Sequence, residues 1–381
     1  TVSLSDSQMV YIHPYNGNVI VKKNRDFDFS GRISAGRGRF VLYGKDFQFK
    51  YDDFKIDLNQ IDSVQLAVPI IPIERDIYGN EKLVRIRTVI ESVTGDLRID
   101  DPKNKSGLRK KIFHHYPIFR SFDDSYVYYD NFSIFGGVYN RDIFAFHVDT
   151  FEIDSLENFN GKSLQFPGTF ESAGIFPTLE DTLTMMDDYS LGFYSRSPIE
   201  GFDIYGGKAK YYNDISLSNE GLKGKGRLEY LTSITNSNEI YFLPDSMALF
   251  TDDILISKVE SGIEFPQVRN GETFSLFQPY EDKYRIHKQK TGFDFYEGQS
   301  VFNGDIILRP TGLIGHSISN SNGYFIANMQ LENSKMISDT FTFNANWFDA
   351  DTADLVLLTE DGEVSFRSNN VRTHIDIKEK I

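Results

Sequence analysis

Short runs in which apolar and polar residues alternate recur through this sequence and constrain its fold more than any other feature. Between residues 27 and 58 the apolar positions, interleaved with Lys, Asp, Gln and Arg, are Phe27, Phe29, Phe40, Leu42, Phe47, Phe49, Tyr51, Phe54, Ile56 and Leu58. Successive side chains of a β-strand point to opposite faces, so this spacing predicts short strands with one buried face.

Glycine and aspartate separate these runs and permit tight turns. The separating residues in the same region are Gly31, Gly36, Gly38, Gly44, Asp52 and Asp53. Strand and turn alternate about every eight to twelve residues, which is typical of sandwiches, barrels and solenoids. We therefore expect an all-β fold, an elongated repeat stack of short strands of the β-solenoid or open, taco-like kind. The alternative is a pair of β-sandwiches.

One segment has helical spacing instead. Leu179, Leu183 and Met186 follow Pro177 and Thr178, and Thr178 is placed to cap a helix. This pattern predicts a short helix over 179–187. The predicted organisation is a β-layered half (1–165), an irregular joint that carries the helix (166–200), and a second β-layered half (201–381).

The second half contains an internal repeat. Residues 202–224 align without gaps on 293–315 and match at 10 of 23 positions. The two copies remain aligned further along the sequence after a ten-residue shift, so 202–260 corresponds to 293–357. The matched residues to which we assign structural roles are Gly221, Leu222, Gly224, Gly312, Leu313 and Gly315. Each glycine that opens a strand should make a turn, and the leucine after it should enter the core.

Composition narrows the classes of partner. The chain has 55 acidic and 40 basic residues and a net charge of −15, which repels phosphate backbones, so we expect no nucleic-acid partner. It has no cysteine, and disulfides and thiolate metal sites are therefore excluded. We expect no cofactor.

Several stretches resemble a family of large, repeat-containing cell-envelope proteins of Bacteroidota that has no assigned activity. The stretches are KNRDFDFSGRISAG (23–36), DDPKNKSGL (100–108), SNEGLKGKGRLEYLTS (218–233), FLPDSM (242–247) and DADTADLVL (349–357). The pattern of short, layered strands is also similar to that of AsmA and TamB-type β-bridges, which conduct lipid, although no motif is shared. The resemblance implies a segment of a longer, exported envelope or surface protein, with lipid or other envelope proteins as partners. The sequence does not indicate an oligomeric state.

Three groups of residues could carry chemistry. Asp349, Asp351 and Asp354 could hold a cation, although we interpret them as a solvated turn. A basic segment could bind phosphate or acidic glycans, although a solvated loop also explains it, and it comprises Lys103, Lys105, Arg109, Lys110 and Lys111. An aromatic cluster could bind sugars or build the core, and it comprises Tyr126, Tyr128, Tyr129, Phe132, Phe135 and Tyr139.

Our first hypothesis is a non-catalytic architectural or lipid-conduit segment with no catalytic or metal residues. The alternatives are a polysaccharide-active β-helix enzyme that uses Asp349, Asp351 and Asp354, and a glycan-binding adhesion module that displays an exposed aromatic strip.

Overall fold

The fold is taken from a computed structural model, which describes residues 1–287, 292–295, 300–320, 323–338, 341–344, 347–359, 361 and 363–376. Two compact units emerge from the internal contacts. The first comprises Thr1–Ser195 and Ser216–Gly221, and the second comprises Arg196–Ile215 and Leu222–Ile381.

The strands up to residue 196 are β1 (Val2–Ser5), β2 (Val10–Pro14), β3 (Ile20–Val21), β4 (Phe27–Ala35), β5 (Phe40–Lys50), β6 (Lys55–Pro69), β7 (Leu83–Arg85), β8 (Ile90–Glu91), β9 (Val93–Arg98), β10 (Ile118–Ser121), β11 (Ser125–Tyr128), β12 (Phe144–Val148), β13 (Glu152–Ile153), β14 (Gln165–Ser172), β15 (Leu179–Met185) and β16 (Leu191–Arg196).

The strands after residue 196 are β17 (Phe202–Ile204), β18 (Ala209–Ser218), β19 (Gly221–Tyr230), β20 (Ser233–Phe242), β21 (Met247–Ile256), β22 (Val268–Asn270), β23 (Thr273–Gln278), β24 (Lys283–Ile286), β25 (Phe293–Phe295), β26 (Ser300–Arg309), β27 (Gly312–Asn320), β28 (Gly323–Leu331), β29 (Lys335–Ile337), β30 (Phe341–Asn344), β31 (Trp347–Leu358) and β32 (Val364–Asp376). The helical elements of the described residues are single 3-10 turns at Tyr15–Gly17, Gly36–Gly38, Pro102–Asn104, Gly161–Ser163 and Pro279–Glu281.

The predicted all-β stack of short strands is confirmed, and the strands pair antiparallel. In the first unit the long strand β6 pairs with β9 along its first half and with β8 at Val64↔Ile90. A row of phenylalanine rings fills the core on the inner side. Phe119 lies 4.9 Å from Phe40 and 5.6 Å from Phe151, measured between ring centroids.

In the second unit, strand β21 likewise pairs with two different strands along its length. Its first half pairs with β23, from Met247↔Phe277 to Thr251↔Thr273, and its second half pairs with β22. Buried polar groups on the inner side satisfy one another, since the Tyr284 hydroxyl lies 2.9 Å from Thr235 Oγ1 and 3.0 Å from Ser275 Oγ. These side chains are therefore packed in a closed interior and are hydrogen-bonded to one another.

The helix predicted over 179–187 is wrong, because Leu179–Met185 forms strand β15. β15 pairs with β14 from Phe170↔Leu179 to Gln165↔Thr184. A spacing of four residues places Leu179 and Leu183 on one side of a strand as well as on one side of a helix. The hydrogen bonds offered by β14 decide between these two conformations.

The two repeat copies have equivalent strand registers. β17 pairs with β18 through Phe202↔Tyr211, and β25 pairs with β26 through the aligned residues Phe293↔Phe302. Beyond the ten-residue shift, Phe242↔Met247 in β20 and β21 corresponds to Phe343↔Phe348 in β30 and β31. The extra residues of the second copy contain the short strand β29.

The aligned glycines and leucines have the same geometry in both copies. Gly221 and Gly312 open β19 and β27 with φ of +94° and +130°, a backbone region that favours glycine. Leu222 and Leu313, which follow them, are fully buried.

Gly224 and Gly315 each lie under an aromatic ring. A Cβ atom on Gly224 would meet the Tyr211 hydroxyl at 2.6 Å, and one on Gly315 would meet Phe302 Cζ at 2.5 Å. Tyr211 and Phe302 are aligned residues of the repeat. Both copies therefore need a residue without a side chain at this position.

Candidate functional site

The predicted acidic site lies only partly within the described structure. Asp349, Asp351 and Asp354 belong to β31, so the turn predicted for them is wrong. Their backbone pairs with β30 and β32, with irregular register between Ala350 and Leu355. Their side chains lie outside the described residues. Among the described side chains, no group of three or more His, Asp and Glu residues is placed to hold a metal ion.

The predicted aromatic cluster is divided between core and surface. Tyr129 and Tyr139 are buried, and the Tyr129 hydroxyl donates a hydrogen bond to the Leu191 carbonyl at 2.9 Å. Tyr126 and Tyr128 lie on the outer face of β11 with parallel rings whose centroids are 5.8 Å apart. Phe132 and Phe135 are exposed as well, at 82% and 39%, so two members of the cluster belong to the core and four lie at the surface.

The predicted basic segment is partly used in structural contacts. The Lys105 ammonium lies 4.6 Å from the centre of the Tyr51 ring, and the Arg25 guanidinium lies 4.5 Å from the same ring. Lys110 forms an ion pair with Glu157 at 2.6 Å. These contacts fix the segment to the turn after β5 and to the connection over residues 154–160.

An exposed row of aromatic side chains that was not predicted lies in the second unit. It comprises Tyr241 on β20, Phe250 on β21, Phe274 on β23 and His287 just after β24, and we call it the aromatic strip. Phe250 is 50% exposed and Phe274 is 37% exposed, although both are large apolar residues in regular strands. Exposed apolar surface that spans neighbouring strands is typical of binding sites.

The rings of the strip follow one another at nearly constant distance. The centroid distances are 6.4 Å from Tyr241 to Phe250, 5.6 Å from Phe250 to Phe274 and 5.4 Å from Phe274 to His287. Adjacent strands lie about 5 Å apart, so the strip provides one ring per strand. It therefore runs across the strands.

Strand register places these side chains on the outer face. Phe250 and Phe274 are directly paired, while the neighbouring pair, Leu249 and Ser275, is buried. The His287 amide donates a hydrogen bond to the Phe274 carbonyl at 3.0 Å, which continues the pairing beyond the end of β24. The strip is therefore fixed by backbone hydrogen bonds and by core packing beneath it.

Charged groups lie at both ends of the strip. The Lys223 ammonium lies 5.5 Å from the Tyr241 ring centre. At the other end, His287 Nδ1 lies 3.2 Å from Asp305 Oδ2, which also accepts a hydrogen bond of 2.6 Å from Arg285 Nη2. These ionic groups flank an apolar centre.

Amide and carboxylate pairs lie on the same two strands as Tyr241 and Phe250. Asn238 Nδ2 donates to Asp252 at 2.6 Å, and Asn236 Nδ2 donates to Asp253 at 3.1 Å. All four residues are exposed or half-buried. Paired donors and acceptors beside aromatic rings can bind a molecule that has an apolar face and a hydroxyl-bearing rim.

Comparison of the chain with protein-family models, with characterised proteins and with solved structures finds no match. No helix in the described part of the chain is long and apolar enough to cross a membrane.

Proposed function

We propose that this chain is a non-catalytic architectural segment of a cell-envelope or surface protein, and that its aromatic strip binds a neutral polysaccharide. The observation that carries the binding function is the row of rings at Tyr241, Phe250, Phe274 and His287, with one ring per strand. The location rests on the resemblance to Bacteroidota envelope proteins.

The ring spacing favours a linear polymer as the ligand. The centroid distances of 5.4 to 6.4 Å are close to the length of one hexose unit in an extended chain. One face of a hexose ring carries C–H groups that pack against aromatic side chains, while its rim carries hydroxyl groups. A polysaccharide lying across the strands would thus place successive sugars near successive rings.

The charge of the chain favours a neutral polymer. The net charge of −15 produces a field that repels acidic polysaccharides, most strongly at low ionic strength. The charged groups nearest the strip are already paired, since Asp305 accepts from Arg285 and lies beside His287. A neutral polymer presents hydroxyl groups, which need only hydrogen-bonding partners beside the strip and no unpaired charge.

The hydrogen bonds accepted by the nearby carboxylates favour binding of a polysaccharide without its cleavage. Asp252 and Asp253 accept hydrogen bonds from asparagine side chains, and Asp305 accepts from an arginine. A glycoside hydrolase needs a pair of carboxyl groups, one of them protonated, on either side of the scissile bond. The carboxylates beside the strip are instead engaged by amide and guanidinium groups.

The closed interior supports an architectural role over lipid conduction. A lipid groove needs inward-facing apolar side chains that a ligand can reach. The inward-facing residues beneath the strip, Ile240, Leu249 and Phe277, are fully buried by protein. Their function is to hold the outer face in a fixed geometry.

Binding to a panel of insoluble neutral and acidic polysaccharides tests the proposal. The test variant combines Phe250→Ala and Phe274→Ala, and the matched control is Tyr194→Ala, which removes a 68% exposed ring from the first unit. Each ring contact contributes about 0.5–1.5 kcal/mol, so the double variant should bind at least about fivefold more weakly.

The wild type and the Tyr194→Ala control should bind one or more neutral polysaccharides equally. Thermal unfolding of all three proteins checks that the substitutions leave the fold intact. A wild type that retains no neutral polysaccharide, or a double variant that binds as well as the control, would overturn the proposed function.

A further inference from the structure

A cleft of about 410 Å³ opens on the surface of the first unit. It lies between β13, the connection over residues 154–160, and the start of β14 after the 3-10 turn Gly161–Ser163. Sites for small ligands in proteins are commonly of about this size, roughly 300–1,000 Å³. The cleft belongs to a different unit from the aromatic strip and has different chemistry.

The floor of the cleft is apolar and rigid. Ile153, Leu164 and Phe166 line it and are themselves buried. The Phe166 ring packs edge-on against Phe151 at 4.9 Å between centroids, which ties the floor to the core of the first unit. An apolar floor of this kind fits the C–H face of a small ligand.

The rim carries polar side chains with unused hydrogen-bonding capacity. Asp154, Asn158 and Gln165 line the cleft and are exposed, and their side chains make no hydrogen bond or ion pair within the described part of the chain. Glu152, the other carboxylate of the lining, is held by Arg120 at 2.6 Å. The rim therefore offers one unpaired negative charge and two amides.

The connection over 154–160 is fixed in place by buried charges and backbone hydrogen bonds. Arg39, which is 7% exposed, donates through Nη1 to the Phe159 carbonyl at 2.8 Å. Glu157, which is 9% exposed, accepts two hydrogen bonds from Lys110, at 2.6 and 2.8 Å. A backbone hydrogen bond of 2.8 Å from the Ser155 amide to the His115 carbonyl fixes the start of the connection.

Burying charged groups is costly unless they are paired, and here the paired charges hold a surface connection in one conformation. The opposite wall is fixed as well, since Asn160 and Ser163 form a reciprocal capping box around the 3-10 turn. The cleft is therefore preorganised, which reduces the entropy lost when a ligand binds.

We infer that this cleft binds a small polyhydroxylated molecule that carries one primary ammonium group, as an amino sugar does. Asp154 would pair with the ammonium group, Asn158 and Gln165 would bind hydroxyl groups, and the apolar floor would contact the C–H face. An organic cation fits better than a metal ion, because no described group of three or more acidic or histidine side chains is placed to hold a metal.

NMR titration with three probes tests this inference on the whole chain. The probes are glucosamine, which carries the ammonium group, and glucose and N-acetylglucosamine, which do not. The wild type should bind glucosamine severalfold, at most about fivefold, more tightly than either neutral sugar, because an ion pair with an exposed carboxylate contributes only modestly in water.

Two variants and a control make the test specific. Asp154→Asn should remove the preference for glucosamine, and Asn158→Ala should weaken binding of all three sugars. Asp149→Asn, which changes an exposed aspartate that does not line the cleft, should bind as the wild type does. The substituted side chains are exposed, so the fold should be retained, and thermal unfolding checks this.

Equal binding of glucosamine and glucose by the wild type would overturn the inference, as would a glucosamine preference that survives Asp154→Asn. Calcium binding that is lost in Asp154→Asn would also overturn it and would identify a metal site. None of these outcomes depends on polysaccharide binding at the aromatic strip, which the Phe250→Ala and Phe274→Ala substitutions test separately.

Discussion

Phe250 and Phe274 are directly opposed residues of β21 and β23, their ring centroids are 5.6 Å apart, and both rings face solvent. One residue away, the opposed pair Leu249 and Ser275 is buried in the core of the second unit. A one-residue change of register would exchange these two pairs. The binding surface and the core are thus specified by the same strand pairing.

The two repeat copies should respond alike to a charge on their inner face. Leu222→Asp and Leu313→Asp would bury an unpaired carboxylate where each leucine is fully buried, at a cost of at least about 3 kcal/mol. Lys223→Asp and Ile314→Asp change the next, half-buried residue on the opposite face and should cost far less. Urea unfolding of the four variants measures the difference. If the two leucine substitutions left the free energy of unfolding unchanged, the equivalence of the two repeat copies would be contradicted.

Close packing of glycine under an aromatic ring gives a second prediction. Gly315→Ala should destabilise the protein by about 1–3 kcal/mol, because the new Cβ atom would lie 2.5 Å from Phe302 Cζ. Adding Phe302→Leu shortens the opposing side chain, so the double variant should lose less stability than the two single losses combined. Additive losses in the double-mutant cycle would mean that the ring and the glycine do not interact.

Tyr230 should make the stability of the protein sensitive to alkaline pH. Burial, together with the nearby Asp282 carboxylate and against the opposing effect of Arg309, raises the pKa of its hydroxyl to about 12. The unfolded chain releases this proton near about pH 10, so stability that is fully present below that pH is lost as pH rises toward 12.

Removing the Tyr230 hydroxyl should reduce this loss. The hydroxyl is buried without a hydrogen-bond partner among the described residues, so Tyr230→Phe should not destabilise the protein at neutral pH. Urea midpoints from about pH 8 to about pH 11 should fall less steeply in Tyr230→Phe than in the wild type. Tyr280→Phe, at a 60% exposed tyrosine, is the control and should keep the wild-type slope.

The acidic residues of β31 should not form a calcium site. Calcium needs six to eight oxygen ligands that converge on one point, whereas Asp349, Asp351 and Asp354 lie along one paired strand. We expect the same melting temperature with calcium and with EDTA, in the wild type and in the variant that combines Asp351→Asn with Asp354→Asn. Several degrees of stabilisation by calcium in the wild type alone would establish a metal site.

Sequence reasoning succeeds where local pattern and structure share one cause. Alternating apolar residues predict strands because a strand has a side-chain period of two, and the aligned Leu222 and Leu313 occupy equivalent buried positions. It fails at Leu179 and Leu183, because their spacing fits a strand as well as a helix and the partner strand β14 decides. The conformation of this segment therefore depends on a partner strand that lies outside it, and the segment's own sequence does not reveal that partner.

The aromatic strip escaped prediction for a related reason. Its four members lie on four separate segments of the sequence, and each directly follows or precedes a buried residue of the core. Phe250 directly follows the buried Leu249, so the two side chains must face opposite sides of the strand. This alternation could have indicated from the sequence that Phe250 is exposed. Their alignment into one row depends on strand register, which the sequence does not state.

If the strip binds a linear polysaccharide with one sugar near each ring, affinity should depend on the length of the sugar chain, and a series of oligosaccharides of increasing length measures this dependence. Dissociation constants would be measured for soluble fragments of the neutral polysaccharide that binds best. We predict that affinity rises with each added sugar up to about four, the number of rings in the strip, and then levels off. Equal affinity for a single sugar and for a long chain, or a length dependence that survives Phe250→Ala with Phe274→Ala, would contradict the claim.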